Sequence, residues 1–333
     1  MKAAIIGLAG PELGVEEAAL LRRAPPAGVI LFARNITTPL VLRRLIADLR
    51  ALLPEEAVLM IDQEGGRVAR LRPPHWRAHP PAAALGRLYA RAPEAGLRAA
   101  FLHGALIGAE GTALGLDVIT APVLDLAYPG AHEVIGDRAF SADPAIVAAL
   151  GAAMAAGLMA AGAQPVMKHI PGHGRARADS HVTLPVVADA DFGADFAPFA
   201  ANAALPWAMT AHILYPALDP HLPATLSATI IARVIRGAPI GFAGVLVSDD
   251  LAMRALAGAP AELAIAALAA GCDLALHCTG VLAETASLLE ACPEVTELAA
   301  GRLAAGRLAA ARHDPRILGA RDAMAAEREA LLA

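Results

Sequence analysis

Lysine is almost missing from this chain. Of 27 basic residues only Lys2 and Lys168 are lysines; the rest are arginines scattered along helix-like segments and outweighed by 32 acids, for a net charge of −5. Such a balance presents no basic patch to a nucleic-acid backbone. Cysteine is equally scarce. Cys272, Cys278 and Cys292 are an odd number in apolar surroundings, which argues against a disulfide framework and suits buried thiols in a reducing cytoplasm. No apolar run approaches the roughly 18 residues of a membrane-spanning helix, because Gly, Pro, Arg or Glu interrupts every Ala-rich stretch. The start, MKAAIIGLAGPELG, has a short apolar run without an A-x-A-like cleavage site, and reads as a first strand instead of a secretion signal. Charged residues make up 18% against 57% hydrophobic, so no segment has the composition of a disordered tract. No GxGxxG follows a strand and no Walker A loop is present, which removes support for a doubly wound nucleotide-binding sheet.

What remains is an alternation. Eight short apolar runs recur along the 333 residues: AAIIGL (3–8), GVILFA (28–33), AVLMID (57–62), DVITAP (117–122), PVMKH (165–169), WAMTAHI (207–213), GVLVSD (244–249) and DLALHC (273–278). Between them lie segments with helical periodicity, at 38–53, 93–111, 142–162, 227–237 and 261–271, and Ser141 or Asp143 is placed to cap the third. Strands this apolar must be covered on both faces, which makes them parallel. Eight of them predict an α/β fold, a single closed (β/α)8 barrel of the TIM type occupying 1–333. From about residue 294 two further Arg/Ala/Glu helices are expected to pack outside. No linker or repeat divides the chain, and a monomer is expected.

In such a barrel, chemistry gathers at the C-terminal ends of the strands. The third run ends in IDQEGGRVARL with Asp62, Glu64, Arg67 and Arg70. The loop after the fourth holds Asp125, then Asp137 and Arg138. The fifth ends in Lys168 and His169, the sixth in His212, the seventh in Ser248, Asp249 and Asp250, and the eighth in His277. For Glu64 and Arg67 the plain reading is a surface ion pair. His103, His132, His221 and His313 read as solvated or locally bonded, and His277 equally as a core histidine or a ligand contact. Asp62, Lys168, His169 and Asp249 each end an apolar strand, where an unpaired charge costs several kcal/mol, so each requires a partner or a substrate.

The richest stretch is KHIPGHGRARADSHVTLP (168–185), which has three histidines, the rare lysine and an aspartate. His169 and His173 have the spacing of a helical zinc motif, but Pro171, Gly172 and Gly174 exclude the helix, and Lys168 would repel a cation. A phosphate cradle fails because the glycines do not open a helix. Acid/base work is left. Asp179 and His181, two apart, point the same way from an extended segment, so the carboxylate can hold and polarise an imidazole that gives up a proton and recovers it. Gly172 and Gly174 would let the loop move over a bound substrate. Asp249, across the mouth, is the natural nucleophile.

Taken in order, LFARNI (31–36), IDQEGGRV (61–68), IGDRAF (135–140), KHIPGHG (168–174), DSH (179–181), TAHI (210–213) and SDDLAM (248–253) resemble the bacterial β-N-acetylglucosaminidases of glycoside hydrolase family 3, over most of the chain. The likeness is to their single-domain cytoplasmic branch, whose members recycle peptidoglycan. The resemblance implies Asp249 as the nucleophile of a glycosyl-enzyme intermediate, His181 as general acid/base in place of the second carboxylate of most retaining glycosidases, and Asp179 as its partner. It implies sugar contacts at Asp62, Arg70, Arg138, Lys168 and His169, with a carbohydrate as the only partner and neither cofactor nor metal. Two departures stand out. Ala139 replaces a serine expected after Arg138, and GRARAD brings in Arg175 and Arg177, expected to be solvated and able to attract anionic muropeptides.

Four rivals stay open. The adjacent Asp249 and Asp250 also suit a hexosaminidase in which the substrate's acetamido oxygen attacks. A histidine acid/base suits phosphorolysis, since it repels phosphate less than a carboxylate does. A metallohydrolase using His169, His173 and His181 and a non-catalytic sugar-binding barrel complete the set.

Overall fold

The computed structural model describes residues 1–333. Its eight strands are β1 (Lys2–Gly7), β2 (Pro26–Leu31), β3 (Val58–Ile61), β4 (Val118–Ile119), β5 (Gln164–Ile170), β6 (Trp207–Thr210), β7 (Val245–Asp250) and β8 (Leu274–His277). Each falls within or against one of the eight apolar runs. All neighbours are parallel and in chain order, and β1 closes the barrel on β8 through Ile5 opposite Leu276.

Side chains alternate across the barrel wall. Ile5, Ile30, Met60, Val118, Val166, Met209, Val247 and Leu276 fill the interior. Their chain neighbours Ile6, Val29, Leu59, Ile119, Met167, Ala208, Leu246 and Ala275 point outward into the larger apolar layer beneath the helices. Both faces are dry, which is why the strands read as continuous apolar runs instead of alternating ones.

The outer layer consists of α1 (Val15–Arg23), α2 (Pro39–Leu52), α3 (Ala82–Arg91), α4 (Pro93–Thr112), α5 (Pro144–Ala160), α6 (Gly193–Ala201), the short α7 (Ala228–Ile230), α8 (Pro260–Ala270) and α9 (Leu282–Ala291). Asp143, not Ser141, caps α5: its carboxylate accepts the N–H groups of Ala145 and Ile146, with Pro144 in the first turn. The segment at 227–237 is not one α-helix. After α7 it continues as a π-helical stretch, Ile231–Ile235. Its TIIARVI sequence crowds β-branched side chains, which have low helix propensity. No helix is long and apolar enough to cross a membrane.

The tail departs from the sequence expectation in its placement. α10 (Glu297–Ala310) lies across the N-terminal end of the barrel and inserts Leu303 among the interior side chains. Arg302 reaches Asp273 Oδ1 at 2.7 Å before β8, and Arg307 donates to the carbonyl of Glu56 at 2.6 Å before β3. After α11 (Arg316–Gly319), α12 (Arg321–Leu332) packs on α4, with Arg328 fully buried and donating to His79 Nδ1 at 2.8 Å. The bottom is closed and the chemistry is confined to the opposite end.

Candidate active site

A cavity opens at the C-terminal ends of the strands, and Asp62, Arg70, Arg138, Lys168, His169, His181 and Asp249 all line it. Asp179 sits behind His181. The sequence-predicted residues are therefore brought together.

The floor is a buried charge lattice. Lys168 Nζ donates to Asp62 Oδ1 at 3.1 Å and to Thr120 Oγ1 at 3.0 Å, and lies 2.6 Å from Glu64 Oε1. Arg138 grips Glu64 with two N–H···O bonds of 2.8 Å, the bidentate geometry that a guanidinium makes best. Arg70 donates to Asp62 Oδ2 at 2.9 Å, and Thr120 also donates to Asp62. Burial works to raise the Asp62 pKa, but the Lys168 and Arg70 charges and the hydrogen bonds of Thr120 and Lys168 outweigh it and hold the carboxyl far below its usual range. For Glu64 burial is likewise overcome by Arg138 and Lys168, and the carboxyl stays ionised. With three oxygens around its ammonium, Lys168 is 3% exposed, whereas Asp62 and Arg70 keep about a fifth of their side chains open. Asp62 and Arg70 are thus the members of the lattice most open to the cavity.

Glu64 corrects the surface-pair reading. It is buried, and Arg67 pairs with Asp137 instead, 3.3 Å away at the rim. The chain reaches this arrangement through a tight turn. Gly65, at φ +106°, leaves no room for a Cβ, which would come 2.4 Å from the carbonyl of Pro80. Gln63 holds the return, accepting the N–H groups of Arg70 and Leu71.

β5 slips its pairing with β6 between Lys168 and Ile170, which lets both Lys168 and His169 face the cavity. His169 Nδ1 is 2.7 Å from the buried Asp125, whose carboxylate also accepts the backbone N–H of His169 and, at 2.6 Å, of His173. With Nδ1 turned to that partner, Nε2 faces the cavity, where Arg138 Nη2 lies 3.5 Å away. His173 is buried, and burial with the neighbouring His169 pushes its pKa down to about 4. The three loop histidines do not converge: Asp125 takes His169, Ser180 takes His173 and Asp179 takes His181, and no three His, Cys, Asp or Glu side chains cluster as a metal site.

Asp249 ends β7. Its backbone N–H donates to Thr210 Oγ1 at 3.2 Å, and its Oδ1 accepts the N–H of Asp250 at 2.8 Å. Burial opposes ionisation, yet His212, His169, the Asp250 N–H and Lys168 together hold its pKa below the usual value. Asp250 serves the backbone, accepting the N–H groups of Ala252 and Cys278 at 3.0 Å, and its pKa is raised by burial. Opposite, His181 is 62% exposed; its Nδ1 lies 2.7 Å from Asp179 Oδ1, which also accepts its backbone N–H. Burial works to raise the Asp179 pKa, but the two hydrogen bonds from His181 together outweigh it and hold the carboxyl below its usual value.

Residues 7–312 match the family described as Glycosyl hydrolase family 3 N terminal domain. The chain belongs to glycosyl hydrolase family 3. Among relatives of this family 3 hydrolase, a Beta-hexosaminidase of Xylella fastidiosa is 42% identical over 281 residues, 82% of either chain. One from Xanthomonas campestris pv. campestris is 41% identical over 82% of this chain and 83% of its own. The structure of NagZ from Neisseria gonorrhoeae in complex with N-trifluoroacetyl-D-glucosamine superposes with a TM-score of 0.86 at 31% identity, covering 98% of both chains. A family 3 beta-N-acetylglucosaminidase from Paenibacillus sp. str. FPU-7 superposes with 0.83 at 30% identity, over 98% of this chain and 67% of that one.

Three expectations change in the family 3 hydrolase. Gly172 and Gly174 are not hinges: a Cβ on Gly174 would lie 2.2 Å from the carbonyl of Leu126, so the glycine is there for close packing, and 171–174 is buried. Arg175 is not solvated. It pairs with Asp195 at 2.8 Å and Asp189 at 3.0 Å over the Tyr128 ring, while Arg177 is exposed as expected. His103 is fully buried, because α4 is covered all round, and its Nε2–H donates to the carbonyl of Glu64 at 2.8 Å. His277 is a buried core histidine whose Nε2 is shared by Thr279 and Glu284, while its Nδ1 has no partner.

Proposed function

We propose that this family 3 hydrolase is a retaining exo-β-N-acetylglucosaminidase, which removes terminal non-reducing β-linked N-acetylglucosamine from peptidoglycan fragments of the GlcNAc-anhydroMurNAc type in the cytoplasm. The observation that carries the reading is one cavity offering an ionised Asp249 and an imidazole, His181, backed by a carboxylate. Asp249 attacks the anomeric carbon while His181 gives its proton to the departing oxygen, leaving a glycosyl ester on Asp249. His181 then takes a proton from water, whose oxygen attacks the same carbon and frees the aspartate. Asp179 keeps the ring oriented through its hydrogen bond to Nδ1.

Asp62, Arg70, Arg138, Lys168 and His169 hold the sugar in this reading. Asp62 accepts from hydroxyls, Arg70 and Arg138 donate, His169 Nε2 accepts, and Lys168 fixes Asp62 and Glu64. The occupied carboxylate of Asp250 favours a covalent route over an acetamido-assisted one, which needs a second acid free to orient the acetamide.

Hydrolysis of 4-nitrophenyl N-acetyl-β-glucosaminide, with and without phosphate and a chelator, tests the reading. Phosphate-independent, chelator-resistant release of free N-acetylglucosamine is expected. A glycosyl phosphate product, loss of activity on chelation, or binding without turnover each overturns it. A slow fluorosugar substrate should add mass to a peptide containing Asp249, and no label there rejects the covalent step.

A further inference from the structure

Between the solvent-facing Asp179 and His181 lies a residue that is not solvent-facing. Ser180 is 2% exposed. Its hydroxyl shares a 3.1 Å hydrogen bond with Nε2 of His173, and its carbonyl accepts the N–H of Ala255 at 3.1 Å. His173 is itself fixed. Its backbone N–H is held by Asp125, its ring meets the His169 ring edge-on at 5.5 Å between centroids, and its buried Nδ1 has no partner. Ser180 Oγ is therefore the one polar group that the ring engages.

Each of these contacts leads to a different part of the site. Asp125 orients His169 on the sugar-binding side. Ala255 lies on the loop after β7, the strand whose end carries Asp249 and Asp250. The Asp179–His181 pair has no side-chain hydrogen bond of its own to either, since Asp179 Oδ1 serves only His181.

We infer that Ser180 and His173 form a latch that registers His181 against both the sugar-binding residues and Asp249, making Ser180 a positioning residue for proton transfer to the leaving group. This rests on the proposed acid role of His181. The latch suits its place chemically: His173 stays neutral at physiological pH, so the hydrogen bond persists while His181 beside it exchanges its proton. A misplacement of about 1 Å in a reacting group costs on the order of a hundredfold in rate.

The test compares Ser180→Ala and His181→Ala on two substrates, a GlcNAc disaccharide whose leaving oxygen needs a proton and the 4-nitrophenyl glycoside, which needs it far less. Through kcat/KM, which reports the steps up to departure, Ser180→Ala should lose about 10- to 100-fold on the disaccharide and under about threefold on the aryl glycoside. Inhibition by free N-acetylglucosamine should not change. Equal losses on both substrates, or no loss, overturn the latch, while an unequal loss for His181→Ala leaves the acid role standing. Equal losses for His181→Ala overturn the acid role itself. Should Ser180→Ala prove unstable, His173→Phe keeps the packed ring and removes only the hydrogen bond; it must give the same unequal pattern or the inference falls.

Discussion

The two halves of the site are held in opposite ways. Glu64 and Lys168 are buried, Asp62 and Arg138 are largely covered, and each charge touches at least one opposite charge, whereas His181 projects with a single carboxylate behind it. The first arrangement is part of the fold, since removing one member strands the others in a dry place. The second contributes little to stability and is free to act on whatever enters. In the proposed mechanism, binding geometry is built during folding and proton transfer is left to a group that water can reach.

Variants should pull these halves apart. Asp249→Ala, at the junction of both, should cut kcat by about ten-thousandfold or more with an unchanged circular dichroism spectrum, because no other group can form the glycosyl ester. Glu64→Ala should do the reverse of a catalytic lesion, costing roughly 3–5 kcal/mol of unfolding free energy in denaturant titration by uncoupling Arg138 and Lys168.

Acid should also strike the buried half. The folded His173 has a pKa of about 4 against 6.5 for an ordinary imidazole, so between those values the unfolded chain binds a proton that the folded one refuses. Stability falls as pH drops through that window, by on the order of 3 kcal/mol from this group alone. His173→Phe should flatten the slope between pH 6.5 and 4, as measured by urea unfolding at several pH values.

His181→Ala should leave the melting temperature unchanged and lower kcat/KM on a disaccharide about a hundredfold, with a much smaller loss on the 4-nitrophenyl glycoside. The smallest contrast lies within one loop. Arg175→Ala should destabilise by about 1–2 kcal/mol through its lost ion pairs and ring contact, and Arg177→Ala by less than about 0.5 kcal/mol. If Arg177 draws in anionic muropeptides, only its loss should raise KM for charged substrates at low salt.

The barrel was legible because eight apolar runs alternate with helical segments and the third and the fifth to eighth carry polar residues at or near their ends, a regularity that survives without any knowledge of pairing. Asp62, Lys168, His169 and Asp249 stood out for the same reason. Glu64 did not, since its partners Arg138 and Lys168 lie 74 and 104 positions away and nothing local distinguishes it from a surface acid. Asp125 was noticed only as a loop residue, and its grip on His169 and His173 depends on how two loops meet. The glycines misled in a different way. Gly174 looks like freedom in a sequence and is, in the fold, the imprint of a neighbouring carbonyl.

The closure of β1 on β8 also orders events during synthesis. Lys2 lies beside Glu294, the N–H of Ala3 bonds the carbonyl of Pro293, and Ile5 pairs with Leu276. One edge of β1 therefore waits for chain made about 270 residues later, roughly 15 to 50 seconds of ribosome time at 5–20 residues per second. For that interval an apolar strand edge is open at the front of the nascent chain, and the last third of the sequence is what seals it.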